Sequence, residues 1–165
     1  MYVEALSLIA GSTRGSMDSA YDYTTFPEVV KAAKDAYAQA GIERPAEQLS
    51  LAEVHDCFTP TEIVLMEDLG GFSDTGQAWK DVLAGEFDAG GRLPVNPDGG
   101  LKSFGHPVGA SGLRMLYEAW LQFRGQAGER QLADPHTALT HNLGGRPGGC
   151  VSFVSVVSRE PRRLQ

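Results

Sequence analysis

The segment NPDGGLKSFGHPVGASG, residues 96–112, decides how the rest of the sequence is interpreted. It places glycines on both sides of His106 and leads into a stretch with helical apolar spacing. Glycines let a loop pack closely against a ligand, and a helix N-terminus favours negative charge. A histidine there tends to stay neutral, able to accept a proton or bind an oxyanion. The segment therefore predicts a site at His106; the alternative is a structural glycine turn that His106 caps.

A second stretch, VHDCF at residues 54–58, lies between an expected strand end and an expected helix start. Ligand sites in α/β sheets lie outside the carboxyl ends of the strands. A thiol near a helix N-terminus has a lowered pKa because the helix dipole favours the thiolate. His55 and Cys57 are therefore candidate site residues. The alternative is that Cys57 is a small buried apolar residue and His55 a hydrogen-bonded core residue.

A third stretch, HNLGGRPGG at residues 141–149, lies between two expected strands. A two-residue hairpin needs far fewer glycines, so we expect a longer glycine-rich turn whose backbone amides point into a site. A long β-turn without a site is an equal alternative. None of the glycine stretches matches a phosphate loop or a dinucleotide-binding fingerprint.

Apolar periodicity predicts a single α/β layered domain, because strand-like and helix-like segments mix along the chain. Two Thr-x-x-Glu capping boxes, Thr25 with Glu28 and Thr59 with Glu62, predict where two helices start. Residues 86–95 are expected to form a small hairpin or loop. The expected strands span residues 3–10, 49–54, 137–141 and 150–157, and the expected helices span residues 25–40, 59–69, 77–83 and 107–123.

Composition excludes several classes of protein. The 165 residues are 42% apolar and 21% charged, and a net charge of −7 argues against a nucleic-acid partner. No stretch approaches 18 apolar residues, so no membrane span is expected. The first five residues lack the pattern of a signal peptide, which predicts a cytoplasmic protein. The cysteines, Cys57 and Cys150, form no CxxC pair, and we expect no metal site.

Together the three stretches resemble the C-terminal domain of thiolases. The match is closest to the sterol-carrier-protein-2 type, which shows HDCF, here residues 55–58, beside the GHP signature, here residues 105–107. The resemblance covers residues 1–158 and leaves residues 159–165 as a polar tail. It implies an α/β fold of the thiolase C-terminal type, with a mixed five-stranded sheet and helices on both faces.

The same resemblance implies an acyl-CoA acyltransferase that makes or breaks a carbon–carbon bond next to a CoA thioester. The implied catalytic residues are His106, which activates a nucleophile, Cys57 as the acid and base, and His55, which holds the thioester oxygen or a water. CoA enters as a substrate, and no cofactor or metal is implied. The implied substrate-binding residues are Asn142, Gly144, Gly145 and Phe104.

The sequence departs from the complete thiolase pattern. Thiolases have two similar halves, the nucleophilic cysteine lies in the N-terminal half, and Asn142 stands where ordinary thiolases carry the cysteine of their CxG motif. The resemblance therefore implies a partner: an N-terminal thiolase half or separate chain, within a homo- or hetero-oligomer. Two alternatives stay open: a thiolase-like retro-aldolase of steroid side-chain degradation with an OB-fold partner of the DUF35 type, and a non-catalytic thiolase-fold subunit.

The helix expected from Pro107 carries an apolar stripe between Leu113 and Leu121 at helical spacing. In the related fold the equivalent helix is sandwiched between two half-domains. Leu116 and Trp120 then offer more apolar surface than one sheet needs. We therefore expect an apolar face that is exposed, or covered by a partner, when this chain is seen alone.

Overall fold

The computed structural model describes residues 1–12, 17–146 and 148–161. Its sheet has the strand order β1-β4-β3-β2. β4 pairs antiparallel with β1 and β3, whereas β2 runs parallel to β3. Glu53 pairs with Thr140 in that parallel register, so the residues that follow β2 lie beside the second half of β3. The strands are β1 (Tyr2–Ala10), β2 (Leu51–Glu53), β3 (Thr137–Arg146) and β4 (Gly149–Ser158).

Helices cover both faces of the sheet. α1 and α3 border the larger core, which includes Val29, Leu65 and Val154. α6 packs on the opposite face, where Ala119 and Phe123 meet Leu51. None of the helices in the described ranges is both long enough and apolar enough to span a membrane. The helices are α1 (Pro27–Ala40), α2 (Pro45–Gln48), α3 (Thr59–Asp68), α4 (Ala78–Leu83), α5 (Gly100–Phe104) and α6 (Ser111–Phe123), with a 3-10 turn at Gly128–Arg130.

The expected fifth strand is not present: the described sheet has four strands. Val95 takes the position of a fifth strand but forms only one parallel bridge, to Ala52. The flanking residues Pro94 and Pro97 have no N–H to donate to a ladder. Asn96 turns the chain away with a φ of 49°. The prolines and this turn therefore limit the pairing to a single residue.

Neither capping box forms. α1 begins after Phe26 and α3 after Phe58, and neither helix has a side-chain cap. At the start of α1 the acceptor is Asp68. Its carboxylate accepts hydrogen bonds from the Thr25 hydroxyl at 2.8 Å and from the Phe26 N–H at 2.5 Å. A residue from α3 thus supplies the acceptor at the start of α1, because the packing of α1 against α3 brings it close.

The third glycine stretch is not a long turn. β3 continues to Arg146 and pairs with Gly149 at the start of β4, so the strands form a tight hairpin; Pro147 lies outside the described residues. Close strand approach accounts for a glycine here, since a Cβ at Gly145 would lie 3.2 Å from the carbonyl oxygen of Gly149. The helix expected from Pro107 also starts later, at Ser111, because Gly109 has a φ of 85° that no α-helix allows.

α6 leaves part of its sheet face uncovered. Leu6 and Leu8 of β1 point away from α1, and Leu8 is 66% exposed. On the same side Leu113 and Tyr117 of α6 are 69% and 59% exposed. Val151 of β4 continues this surface, which we call the open apolar face. An exposed apolar face is therefore present as expected, but the stripe between Leu113 and Leu121 is not the buried side of α6. Leu113 and Tyr117 are exposed and Leu116 and Trp120 are half-buried, whereas Met115, Ala119 and Phe123 lie on the buried side.

Candidate active site

The structure brings His55 and His106 together. Their ring centroids lie 4.8 Å apart and the ring planes meet at 82°, an edge-to-face arrangement. His55 follows the carboxyl end of β2, and His106 follows α5. These two residues, far apart in the sequence, therefore lie together at the edge of the sheet where β2 ends.

Both rings line a pocket of about 640 Å³. Its floor includes Asn142 and Gly144 from β3, so two of the expected substrate-binding residues lie beside the histidines. The remaining walls are mainly apolar and come from residues 108–116 and from β4. A mainly apolar cleft with a few convergent polar groups has the composition of a ligand site.

His106 is oriented by the first residue of α6. Its Nδ1 lies 2.7 Å from Oγ of Ser111, and that hydroxyl lies 3.3 Å from the carbonyl oxygen of Pro107. When the hydroxyl donates to the carbonyl, Nδ1 carries the ring proton and Nε2 keeps its lone pair. His106 can then accept a proton at Nε2, which is what a general base must do.

His55 is buried, and burial lowers its pKa to about 4, with a smaller contribution from the nearby His106. The ring is therefore neutral at pH 7 and can donate one hydrogen bond without first losing a proton. Its Nδ1 is buried and has no hydrogen-bond partner in the described part of the chain. The alternative of a fully hydrogen-bonded core histidine does not fit this unpartnered nitrogen.

Two neighbouring side chains hold the turn that carries His55 and Cys57. Oδ1 of Asn96 accepts the N–H of Val54 at 2.8 Å. Oδ1 of Asp56 accepts the N–H of Leu101 at 2.7 Å. The first contact fixes the end of the strand, and the second joins the turn to α5, which precedes His106. The two histidine-bearing segments are thus linked through hydrogen bonds.

The other expected site residues lie outside the lining of this pocket. Cys57 is a half-buried free thiol in the turn after His55. Phe104 is exposed and stacks with the guanidinium of Arg114, whose Cζ lies 5.6 Å from the ring centroid. Gly145 lies one residue beyond the pocket, paired with Cys150 in the hairpin. The roles expected for Cys57, Phe104 and Gly145 stay predictions.

Cys150 is no candidate for a nucleophile. Its thiol donates a hydrogen bond to Oε2 of Glu28 at 3.2 Å inside the larger core. Burial and this carboxylate raise the pKa of the Cys150 thiol to about 12, so the reactive thiolate is suppressed.

The structure reveals a buried ionic cluster that the sequence patterns did not indicate. Arg114 of α6 forms ion pairs with Glu53 and Asp98. Burial raises the pKa of the Glu53 carboxyl, and the Arg114 guanidinium opposes this shift. Glu53 ends β2, directly before the turn that carries His55. No spacing rule joins these residues, since they meet only through the fold.

His141 begins the third glycine-rich stretch, and the sequence offered no reason to assign it a role in the site. It is completely buried, and neither ring nitrogen has a partner among the residues described. Burial lowers its pKa to about 3, with a smaller effect from His55. Within the described ranges, no group of three or more His, Cys, Asp or Glu side chains is arranged to hold a metal ion.

Comparisons with known proteins show the family to which the chain belongs. The family model described as Thiolase C-terminal domain-like matches residues 10–157. The chain is 38% identical over 159 residues to an acetyl-CoA acetyltransferase of Methanothermobacter thermautotrophicus, and the match covers 96% of this chain and 40% of that protein. It is 34% identical over 147 residues to sterol carrier protein 2 of Homo sapiens, covering 86% of this chain and 26% of that protein.

A solved structure shows the same architecture. The fold matches a chain of the structure titled Ltp2-ChsH2(DUF35) aldolase with a TM-score of 0.72 and 26% sequence identity, covering 94% of this chain and 39% of that one. The present chain therefore spans less than half the length of each of these proteins. It has the α/β fold with a mixed sheet, and on the family match and the identities it belongs to the Thiolase C-terminal domain-like family.

Proposed function

We propose that this chain supplies the acid–base and oxyanion-binding groups of a thiolase-like acyltransferase that acts on CoA thioesters. The main support is the meeting of His55 and His106 in one pocket with Asn142 and Gly144. The similar proteins named acetyl-CoA acetyltransferase and sterol carrier protein 2 support the same class. Because the chain spans 40% or less of their length, the nucleophilic cysteine is assigned to a segment outside these residues.

In the proposed thiolysis, His106 accepts the proton of the nucleophilic thiol. The thiolate attacks the β-carbonyl carbon of the substrate, and the bond between the α- and β-carbons breaks with its electron pair left on the α-carbon. Cys57 donates the proton that this carbon takes up. The products of this half-reaction are an acylated thiol and a shortened CoA thioester, and the thiol of a second CoA then removes the acyl group.

In this mechanism His55 binds the thioester oxygen. With a pKa lowered to about 4 by burial, it is neutral at pH 7 and donates a hydrogen bond to the developing oxyanion. One such donor contributes on the order of 3 kcal/mol to the lowering of the barrier. Asn142, the backbone of Gly144 and Gly145, and the ring of Phe104 bind the rest of the substrate. The CoA thioester is a substrate, and no cofactor or metal takes part.

Partner chains belong to the proposal as well. The open apolar face, which includes Leu113 and Tyr117, is placed against a thiolase half or a second subunit, giving a homo- or hetero-oligomer. The cytoplasmic location that the first residues indicate stays a prediction.

A retro-aldolase is the second candidate, supported by the fold match to a structure titled as an aldolase with a DUF35 component. In that case the substrate is a β-hydroxyacyl-CoA, no nucleophilic cysteine is needed, and a DUF35-type OB-fold partner binds this chain. The third candidate is a thiolase-fold subunit without catalysis.

A chimera separates these candidates. Residues 1–158 replace the matching 40% of the Methanothermobacter acetyl-CoA acetyltransferase, and the purified chimera is assayed with acetoacetyl-CoA and free CoA. We expect CoA-dependent thiolysis that falls about 10²- to 10⁴-fold in His106→Ala. His136→Ala is the control, because His136 lines a different pocket and pairs with Asp134. This chain alone should show no thiolysis.

The alternative outcomes are distinct. Cleavage of a β-hydroxyacyl-CoA without consumption of CoA favours the aldolase. A folded chimera that binds acyl-CoA and cleaves neither substrate favours the non-catalytic subunit. Thiolysis by this chain alone contradicts the assignment of the nucleophile to a segment outside it.

A further inference from the structure

Arg114 lies where the two histidine-bearing segments meet. It occupies the second turn of α6 and is only 13% exposed. Its Nη1 lies 3.1 Å from Oε2 of Glu53, and the same guanidinium pairs with the carboxylate of Asp98. Glu53 is the last residue of β2, directly before the turn that carries His55, and Asp98 lies in the loop that leads to α5 and then to His106. One side chain therefore contacts both segments.

Asp98 extends this contact to the start of α5. Its Oδ1 accepts the N–H of Gly100 at 2.7 Å. Asp56, next to His55, accepts the N–H of the following residue, Leu101, at the same distance. Arg114 therefore holds one of the two carboxylates that position α5, whose C-terminus is followed by His106.

Phe104 supplies a contact at the other end of α5. Its ring centroid lies 5.6 Å from Cζ of Arg114, which is cation–π distance. Phe104 is separated from His106 only by Gly105, which has a φ of 86°. The guanidinium is thus in contact with both ends of the short helix as well as with the end of β2.

From these contacts we propose that Arg114 is a positioning residue: by holding Glu53, Asp98 and Phe104 at once, it sets the separation of the His55 and His106 rings. The effect of Arg114 on catalysis rests on the proposed function, whereas its effect on the separation of the two rings does not. Both carboxylates pair with one guanidinium nitrogen, Nη1, while the flat group lies near the Phe104 ring. A lysine ammonium is a point charge, so it cannot keep all three contacts together.

The first test observes the rings directly in this chain. In the unaltered protein we expect a nuclear Overhauser cross-peak between the ring protons of His55 and His106, as their 4.8 Å separation requires. Arg114→Lys and Arg114→Gln should lose that cross-peak. Arg130→Gln should keep it, because Arg130 also lies near the Phe104 ring but pairs with Glu118 rather than with Glu53 or Asp98.

Arg114→Gln leaves buried carboxylates unpaired and can fail to fold. The test then relies on Arg114→Lys, which keeps the positive charge. A cooperative urea transition shows whether this variant is folded. An intact cross-peak in a folded Arg114→Lys protein overturns the proposal. Loss of the cross-peak in folded Arg130→Gln overturns it too, because the effect is then not specific to Arg114.

The second test uses the chimera described above. Misplacing the base His106 relative to the oxyanion donor His55 slows turnover more than it weakens substrate binding. Arg114→Lys should therefore lower kcat about 10²-fold with little change in KM. A rise in KM with unchanged kcat contradicts the positioning role. If the chimera is inactive, the proposed function has failed, and the cross-peak measured in this chain still tests the role of Arg114 separately.

Discussion

The imidazole rings of His55 and His106 lie edge to face with their centroids 4.8 Å apart, although three helices separate these residues in the sequence. A protonated His106 at this distance repels a protonated His55, which disfavours the charged form of His55. Burial makes the larger contribution at His55, whose pKa is lowered to about 4. The two effects can be separated by substitution.

Replacing His106 should raise the pKa of His55 only in part. In His106→Gln the charge repulsion is gone but most of the burial remains, so we expect the pKa of His55 to rise above about 4 and stay below 6.5. The measurement is a pH titration of the ring resonances by nuclear magnetic resonance. His136→Gln, on another side of the protein, should leave the His55 titration unchanged. A return of the His55 pKa to 6.5 in His106→Gln contradicts burial as the larger cause.

His141 should make the protein less stable as the pH falls. Its folded-state pKa is lowered to about 3, while in the unfolded chain it titrates near 6.5. The unfolded state therefore binds more protons below pH 6.5, and the free energy of unfolding falls as the pH decreases from 6.5 towards 3. One proton corresponds to a slope of about 1.4 kcal/mol per pH unit.

Comparing the unaltered protein with a His141 variant separates the contribution of His141 to the pH dependence of stability from the contributions of other groups. We expect His141→Gln to flatten the dependence of the unfolding free energy on pH by about one proton between pH 6 and 4. Urea unfolding of the unaltered protein and of His141→Gln at a series of pH values measures this difference. Parallel curves for the unaltered protein and His141→Gln would count against a neutral, buried His141.

Gly100 should tolerate alanine less well than Gly70. Both have positive φ angles, 67° and 71°, which cost an alanine roughly 1–2 kcal/mol. A Cβ at Gly100 would also collide with the carboxylate of Asp56, whereas a Cβ at Gly70 would meet nothing within 4 Å. We expect Gly100→Ala to lower the free energy of unfolding by a further 1–3 kcal/mol or so. Equal losses in the two variants, measured by urea unfolding, would rule out close packing of Asp56 against α5.

The open apolar face should make the isolated chain associate. Leu8 and Leu113 are 66% and 69% exposed on this surface, and apolar patches of this kind drive association. We expect binding of a hydrophobic dye and concentration-dependent sedimentation, both reduced in Leu8→Lys and Leu113→Glu. Leu83→Glu is the matched control, since Leu83 is 79% exposed but lies on α4, away from this face. A clean monomer without dye binding contradicts this prediction.

Much of the architecture follows from local sequence. The strand-like segments expected at residues 3–10 and 150–157 match β1 and β4, and apolar spacing at three and four residues predicts α1, α3 and α6 to within a few residues. Glycine density around His106 also located one side of the site. These features depend on neighbours along the chain, so backbone geometry and periodicity are sufficient to predict them.

Partners from distant segments could not be predicted in this way. The Phe26 N–H at the start of α1 donates to Asp68 of α3, and Val95, in a segment expected to be a hairpin or loop, forms a bridge to Ala52. The sequence contains each of these groups, but a hydrogen bond between segments depends on how helices and strands pack. Local spacing therefore predicts that a donor needs a partner and does not identify the partner.

The strands, most of the helices, the motif residues His55 and His106 and the family resemblance that joins them could all be predicted from sequence. The contact between the two rings, the link that Arg114 makes from the end of β2 to the segment leading to His106, and the burial of His141 without a hydrogen-bond partner among the described residues depend on how the elements pack. The physical reason is the range of the interactions. Backbone conformation and apolar periodicity act over a few residues, whereas desolvation and ion pairing depend on every segment that packs around a group.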